Sequence, residues 1–208
     1  MAGKLLGNLS QGLIFVVSAP AGTGKTTLVN RLKKEFNSVI ESISCTTRKP
    51  REGEIDGQDY HFLTLEQFKA KINIGDFLEY AEVFGNYYGT SREYILSERS
   101  KGKHLILVID TQGAMQLKKM IDAIFIFLQP PSIETLRDRL YKRNTENEEQ
   151  AEKRLTIAKE EMAMIDHYDY SIVNEDVETA YHVLRSILIA EEHRVKNRPL
   201  INNKKGEL

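Results

Sequence analysis

A short glycine-containing loop near the N-terminus has the residue types and spacing of a phosphate-binding site. It lies between an apolar segment, 13–18, that predicts a strand and a segment, 26–35, that predicts a helix. In that position the pattern is typical of a Walker A loop, whose inward-facing backbone N–H groups and helix N-terminus hold phosphate groups. An ordinary glycine-rich turn would explain the glycines but not the Lys-Thr pair that follows them. The residues predicted to bind ATP here are Ala19, Pro20, Ala21, Gly22, Thr23, Gly24, Lys25, Thr26 and Thr27.

Three side chains of this loop have separable chemical roles. We expect the Lys25 ammonium to bridge the β- and γ-phosphates, the Thr26 hydroxyl to ligate Mg²⁺ and the Thr27 hydroxyl to reach the α-phosphate side. The first position of the motif is usually glycine and is Ala19 here. Because alanine has the smallest Cβ, we expect it to be tolerated if that position needs no positive φ.

A second group of cations lies in a proline-stiffened loop, 44–51. Arg48 and Arg51 are spaced so that their guanidinium groups could form paired hydrogen bonds with a second phosphate, a geometry that lysine does not reproduce. Tyr60 could add a hydroxyl donor. Loop arginines are more often solvated than ligating, so the residue types alone leave both interpretations open.

Asp110 follows a buried-strand pattern and is a candidate metal ligand. In a sheet that carries a Walker A loop, a carboxylate at the end of such a strand can hold Mg²⁺, directly or through water. The same side chain could instead cap the next helix at Gly113. Because the phosphate loop is present, we favour the metal role. The histidines show no metal-ligand spacing with one another or with Cys45, so we expect no structural zinc.

Strands that alternate with helices predict an α/β fold, with a P-loop parallel sheet flanked by helices. The predicted strands are 13–18, 105–110, 123–128 and, more weakly, 170–174. The predicted helices are 26–35, 65–72, 91–101, 133–143, 148–165 and 177–196.

Composition divides the chain into three predicted parts. The P-loop core comprises 1–39, 91–136 and 156–208, and a small mixed-β insertion rich in glycine and aromatic residues comprises 40–90. The stretch 141–154 is nearly all polar, and with its neighbours it predicts a helical lid over 137–155. A solvated helix-loop-helix would have the same composition, so the lid function is a hypothesis at this point.

Five motifs follow one another in the order and spacing of guanylate kinases. They are Ser44 to Arg51, Gly57-x-Asp59-Tyr60-x-Phe62, Phe77-Leu78-Glu79-Tyr80, Gly85-Asn86-Tyr87-Tyr88-Gly89-Thr90 and Ile109-Asp110-x-Gln112-Gly113. The chain therefore resembles the guanylate kinase family of P-loop nucleoside monophosphate kinases from about Gly12 to about Arg194. The resemblance implies transfer of the γ-phosphate of ATP to GMP and dGMP in purine nucleotide metabolism, with Mg²⁺ as the cofactor.

The resemblance implies an acceptor site with two parts. The GMP phosphate would be held by Arg48, Arg51, Tyr60 and Tyr88. The guanine would be recognised by Ser44, Glu79 and Thr90, and Asp110 would also contact the acceptor nucleotide. The chemistry agrees, since one ionised carboxylate such as Glu79 can accept both N1–H and N2–H₂ of guanine, whereas adenine presents a bare N1 acceptor that would repel it.

The resemblance also implies roles on the ATP side. Lid arginines that arrive on closure would stabilise the transferring phosphoryl group, and Asn174 would contact the adenine. The predicted catalytic groups are Lys25, Arg48, Asp110, Arg139, Arg143 and Arg154. Two further positions depart from the family pattern. They are Val108, where a second acidic residue is common, and Asn144, which replaces a glycine.

Charge and hydropathy restrict the partners that we expect. Lys plus Arg (29) nearly balances Asp plus Glu (30), so there is no overall basic field of the kind that non-specific nucleic-acid binding requires. The longest apolar runs, 13–17 and 121–128, fall short of the ~20 residues of a spanning helix, and residues 1–7 do not resemble a signal peptide. We expect a cytoplasmic protein with no nucleic-acid or membrane partner, and we leave monomer and homodimer open.

Two other classes of function share part of this pattern. A non-catalytic scaffold module could reuse the GMP site for phosphopeptides, but such modules typically lack a working phosphate loop. A P-loop GTPase would carry an Asn-Lys-x-Asp loop, and Val173-Asn174-Glu175-Asp176 does not match it. The intact Gly24-Lys25-Thr26 favours the kinase.

Overall fold

Five parallel strands form the sheet that carries the phosphate loop. The computed structural model describes residues 4–141 and 148–197. The sheet contains β1 (Ile14–Ser18), β2 (Val39–Glu41), β7 (His104–Val108), β8 (Ile124–Gln129) and β9 (Tyr170–Val173). Their order is β2-β7-β1-β8-β9, and every neighbouring pair is parallel. Because the carboxyl ends of parallel strands meet at one edge, the loops that follow β1, β7 and β9 converge there.

Helices cover both faces of this sheet. They are α1 (Lys25–Glu35) and α7 (Val177–Glu192) on one face, and α3 (Arg92–Ser100) and α4 (Thr111–Lys118) on the other. Helix α2 (Leu65–Asn73) packs through Phe68 with Cys45 and Phe77 of the insertion, and α5 (Ile133–Tyr141) and α6 (Glu148–Met162) pack on each other beside the phosphate loop. Alternate residues of β1 face opposite sides: Phe15 and Val17 pack with residues of α1 and α7, and Ile14 and Val16 pack with residues of α3 and α4. Two apolar cores therefore sandwich the sheet, and the predicted α/β fold class is confirmed.

A second, mixed sheet forms the insertion. It contains β3 (Cys45–Thr46), β4 (His61–Phe62), β5 (Phe77–Val83) and β6 (Asn86–Ser91), in the order β4-β3-β6-β5. β3 and β4 are parallel, and the other pairs are antiparallel. The predicted boundary between residues 39 and 40 falls inside β2, which is a strand of the core sheet.

Several element ends differ from the prediction. The strand predicted at 105–110 ends at Val108, because Asp110 is the N-cap of α4, a helix that was not predicted. The predicted helix 148–165 ends at Met162, and a 3₁₀ turn occupies Ile165–His167. The predicted helix 177–196 ends at Glu192. Residues 142 and 143 of the predicted helix 133–143 lie outside the described residues. Within the described ranges, no helix is both long enough and apolar enough to cross a membrane.

A buried polar network fixes the N-terminal segment to the core. His104 is fully buried, and its Nδ1 accepts a hydrogen bond from the Leu13 backbone N–H at 3.1 Å. Nε2 must therefore carry the proton, and it donates to the Glu192 carboxylate at 2.5 Å. The same carboxylate accepts from the backbone N–H groups of Gly7 at 2.7 Å and Asn8 at 3.0 Å. The Glu192 carboxylate at the end of α7 thus joins the N-terminal segment to the start of β7.

We predict that this network makes the protein acid-sensitive. Burial lowers the pKa of His104 below 6.5. Burial alone would raise the pKa of Glu192, but hydrogen bonds from Gly7, Asn8 and His104 lower it below 4.5. In both cases the unfolded chain binds the proton first as the pH falls, so the free energy of unfolding should fall as the pH drops through 6.5 and again through 4.5.

Urea unfolding from pH 8 to pH 4 measures this effect. At pH 7, Glu192→Gln should cost about 1–3 kcal/mol, because buried donors lose their ionised acceptor, and its stability should depend less on pH. Glu160→Gln, on the exposed face of α6, is the matched control and should behave like wild type. A Glu192→Gln protein with the stability and pH dependence of wild type would contradict the prediction.

Candidate active site

The loop between β1 and α1 has the backbone of a phosphate nest. Gly22 and Gly24 have φ values of +88° and +99°, where a side chain would be strained, and α1 begins immediately after them, at Lys25. Among the described residues, Phe84 is the only non-glycine with positive φ. Ala19 therefore sits in an ordinary conformation, which satisfies the condition under which the sequence predicted that alanine would be tolerated.

Lys25 folds back over its own loop. Its Nζ donates to the Ala19 carbonyl at 2.5 Å, and the Pro20 carbonyl lies at 3.4 Å. Thr26 and Thr27 are exposed at the open end of α1. The ammonium and the helix N-terminus therefore address the same concave surface, as phosphate binding requires.

Asp110 lies next to this surface and caps α4. Its Oδ1 accepts from the Gly113 N–H at 2.8 Å, and its backbone carbonyl accepts from the Ser18 hydroxyl at 3.4 Å. Burial raises the pKa of Asp110, while the Gly113 and Gln112 N–H groups and the Lys25 charge oppose the rise. The helix-capping alternative is thus confirmed, and it coexists with a place beside the phosphate loop. The metal role stays a prediction.

The donors at this site suit Mg²⁺. Among the described residues, no three or more His, Cys, Asp or Glu side chains cluster so that they could hold a metal ion by themselves. Mg²⁺ commonly binds through one or two carboxylates together with substrate phosphates and water, and it prefers hard oxygen ligands. The exposed Thr26 hydroxyl and the Asp110 carboxylate supply such oxygens beside a phosphate loop, so the residues fit the cofactor.

Glu161 is a carboxylate at this site that the sequence analysis missed. Burial raises its pKa to about 7, and it interacts electrostatically with both Lys25 and Asp110. Leu155 and Ala158 of the same helix are buried against residues of α5 and against Ala21. The signal in the sequence was the helical spacing from these two residues, which places Glu161 on the inward face of α6.

The residues predicted to recognise guanine are neighbours in the second sheet. Glu79 on β5 is directly opposite Thr90 on β6, and the Thr90 hydroxyl donates to Glu79 Oε1 at 2.5 Å. Cys45 is opposite Gly89, so the antiparallel register brings Ser44 alongside Thr90. Glu79 is only 5 % exposed. Three residues from distant motifs therefore meet on adjacent strands.

Gly113 joins this cluster to the phosphate side. A Cβ at Gly113 would lie 2.6 Å from Glu79 Oε2 and 3.4 Å from Asp110 Oδ1. Only glycine fits between the two carboxylates. Burial raises the pKa of Glu79 to about 7; the Thr90 hydroxyl opposes this rise, and Asp110 adds to it.

The predicted acceptor-phosphate residues also come together, with one addition. The Arg48 guanidinium lies 5.3 Å from the Tyr60 ring centroid, and the Tyr60 and Tyr88 rings lie 6.0 Å apart. Arg48 is held by Glu54, at 2.8 Å, whose other oxygen accepts from the backbone N–H of Arg51. Sequence reasoning missed Glu54, although it lies only three residues after Arg51 in the same loop. The Arg51 side chain is exposed.

The lid cations have separate positions. Arg139 donates to the Asn174 carbonyl at 3.1 Å. The Arg154 guanidinium lies 5.7 Å from the ring centroid of Phe84, at the tip of the β5–β6 hairpin, and so faces the insertion. Arg143 and Asn144 lie outside the described residues. Asn174 itself is 2 % exposed and donates from its side chain to the Thr23 carbonyl at 2.6 Å.

Comparisons with known proteins agree with this geometry. A family model described as guanylate kinase matches residues 11–191. A guanylate kinase of Protochlamydia amoebophila is 56 % identical over 192 residues, which cover 92 % of this chain and 98 % of the relative. One of Clostridium perfringens is 43 % identical over 202 residues, 96 % of this chain and 94 % of the relative.

A solved structure extends the agreement to three dimensions. The crystal structure of a guanylate kinase from Anaplasma phagocytophilum superposes with a TM-score of 0.75 at 36 % identity, over 92 % of this chain and 91 % of that one. The match to the family model spans both sheets, and with them the phosphate loop and the neighbouring Glu79, Thr90 and Arg48. On these grounds the chain belongs to the guanylate kinase family.

Proposed function

We propose that this chain transfers the γ-phosphate of ATP to GMP, with the residues described above in the roles that follow. The observation that carries the proposal is the contact at Gly113, which brings the buried Glu79 of the second sheet against the Asp110 cap at the edge of the phosphate loop. A base-recognising carboxylate and a phosphate-binding loop are thereby held in one cleft, as transfer between two nucleotides requires.

On the acceptor side, recognition of base and phosphate is divided between two clusters. Ionised Glu79 would accept N1–H and N2–H₂ of guanine, and the Ser44 and Thr90 hydroxyls would donate to O6. Arg48, Arg51, Tyr60 and Tyr88 would hold the phosphate, with Glu54 keeping Arg48 in place. None of these residues is assigned to the ribose 2′-hydroxyl, so we extend the proposal to dGMP.

On the donor side, the loop N–H groups and Lys25 would bind the β- and γ-phosphates, with Thr27 on the α-phosphate side and Asn174 near the nucleotide. Thr26 and Asp110 would hold Mg²⁺. When bound, the ion neutralises phosphate oxygens. No general base is required, because an oxygen of the GMP phosphate is already ionised at neutral pH. Catalysis would be positioning and electrostatic stabilisation.

Lid closure would complete the charge environment. Leu136 and Leu140 of α5 pack with Leu155 and Ala158 of α6, so the two helices form one packed unit. Arg143 and Arg154 would then approach the transferring group and exclude water, and Arg139 would add its charge from its position against the Asn174 carbonyl. We place the reaction in the cytoplasm, in purine nucleotide metabolism, where its substrates occur.

An acceptor panel tests the proposed function. ADP formation is measured with ATP and Mg²⁺ and, separately, GMP, dGMP, AMP, UMP or no acceptor, with Lys25→Met protein as the blank. We expect turnover with GMP and dGMP, and GDP or dGDP as the second product. Absence of turnover with every acceptor, together with binding of GMP or a phosphopeptide, would instead support the scaffold module.

A further inference from the structure

Asn174 is the point at which three segments of the active site meet. It follows β9 at the carboxyl edge of the core sheet and is 2 % exposed. Its backbone N–H donates to the Gln129 carbonyl at the end of β8, at 2.8 Å. Its backbone carbonyl accepts from Arg139 of α5 at 3.1 Å, and its side chain donates to the Thr23 carbonyl of the phosphate loop at 2.6 Å.

The orientation of the side-chain amide is determined by chemistry. A carbonyl oxygen can only accept a hydrogen bond, so the atom facing the Thr23 carbonyl must be the Asn174 NH₂ group. That nitrogen also limits its neighbour, since a Cβ at Gly24 would lie 2.6 Å from it. The Asn174 amide therefore packs directly against the backbone of Thr23 and Gly24, and it restrains the position of these two residues of the phosphate loop.

We propose that Asn174 is a positioning residue, which holds the phosphate loop through its side chain and Arg139 through its carbonyl in the arrangement that binds a triphosphate. The proposal rests on the proposed use of ATP as donor, and it goes beyond a contact with the adenine base. Loss of the side-chain hydrogen bond would leave the Thr23 carbonyl buried without this partner and would free the loop to relax away from its ligand.

The competing role for the same residue also has a structural basis. Asn174 Oδ1 is buried and has no hydrogen-bond partner among the described residues, so it could accept from an adenine amino group if the site opened. The two roles predict that a substitution at Asn174 weakens the binding of different ligands. A base contact matters only for a ligand that has a base, whereas a positioned loop matters for any polyphosphate.

Binding of two probes separates these roles. Affinities for ATP and for inorganic tripolyphosphate, both with Mg²⁺, are measured by calorimetry on wild type, Asn174→Asp and Asn174→Ser, without acceptor. We expect both variants to bind both probes about tenfold more weakly, while GMP affinity stays within about twofold of wild type. The exposed neighbour variant Glu175→Gln should match wild type with all three ligands.

Two results would overturn the proposal. Weaker binding of ATP with unchanged binding of tripolyphosphate would assign Asn174 to the base, and an equal loss for ATP, tripolyphosphate and GMP would make its role purely structural. If neither variant folds, wild-type protein decides by NMR, since the Asn174 side-chain amide must shift with tripolyphosphate as well as with ATP. A shift of this amide signal with ATP alone would contradict the positioning role. None of these measurements depends on phosphorylation of GMP, so failure of the proposed function would show only in the acceptor panel.

Discussion

Lys25→Met should lower kcat for GMP phosphorylation by about 100- to 1,000-fold, the usual cost of removing one group that stabilises transition-state charge. In the structure the ammonium lies over its own loop, with the Ala19 carbonyl at 2.5 Å. It therefore lies at the loop that we propose holds the β- and γ-phosphates. Methionine keeps the apolar stem and removes the charge together with its hydrogen bond to Ala19, so a loss confined to kcat would report on phosphoryl transfer. Initial rates at saturating ATP and GMP measure it.

The matched control for this substitution lies on the same helix. Lys34→Met also replaces a lysine of α1, but its side chain is exposed in the last turn, away from the loop. It should retain wild-type kcat. The KM for GMP should change little in either protein, because Lys25 is proposed to contact the donor nucleotide and not the acceptor. A Lys25→Met enzyme with more than a tenth of wild-type kcat would remove Lys25 from the catalytic groups.

Features encoded by adjacent residues could be predicted from the sequence more directly than features formed by residues far apart in the chain. The phosphate loop is one unbroken motif between a strand and a helix, so its identity and conformation follow from adjacent residues. The set of residues proposed to recognise guanine could be predicted only through the spacing of separate motifs. Ser44, Glu79 and Thr90 are far apart along the chain, and the antiparallel register of β3, β6 and β5 brings them together.

The missed features depend on contacts that no local pattern encodes. Helix α4 was not predicted because it is short and contains Gly113, a poor helix former. The glycine is needed there because Glu79 Oε2 leaves no room for a Cβ. His104 and Glu192 form a buried pair across 88 positions of sequence. In each case the physical reason for the residue is a partner that only the folded chain supplies.

Gly113 would also explain how one site serves the two proposed nucleotides. It allows the N-terminus of α4 to approach β5 so closely that the carboxylates of Glu79 and Asp110 flank one residue. Two like charges held that close disfavour each other's ionised form. A guanine that donates two hydrogen bonds to ionised Glu79 would relieve this penalty, so acceptor binding and ionisation of Glu79 should be coupled.

This coupling predicts the pH dependence of the enzyme and the effect of Glu79→Gln. The pKa of Glu79 in the ligand-free protein is raised to about 7, chiefly by burial, and only the ionised form accepts both guanine donors. kcat/KM for GMP should therefore rise with pH through about 7 and lie about tenfold below its plateau one unit lower. Glu79→Gln should lower kcat/KM by about 100- to 1,000-fold, since its NH₂ group would face the guanine amino group.

The variant also separates this titration from that of the substrate. The second ionisation of the GMP phosphate, near pH ~6, remains in Glu79→Gln, so any slope that persists there belongs to GMP and the slope that disappears belongs to Glu79. Glu82→Gln, on the same strand with an exposed side chain, should keep the full wild-type profile. If Glu79→Gln kept both the wild-type kcat/KM and its rise near pH 7, Glu79 could not be the guanine-recognising carboxylate. A different acidic group at this site would then have to account for the profile. Glu161 is the first candidate, because its pKa is also raised to about 7.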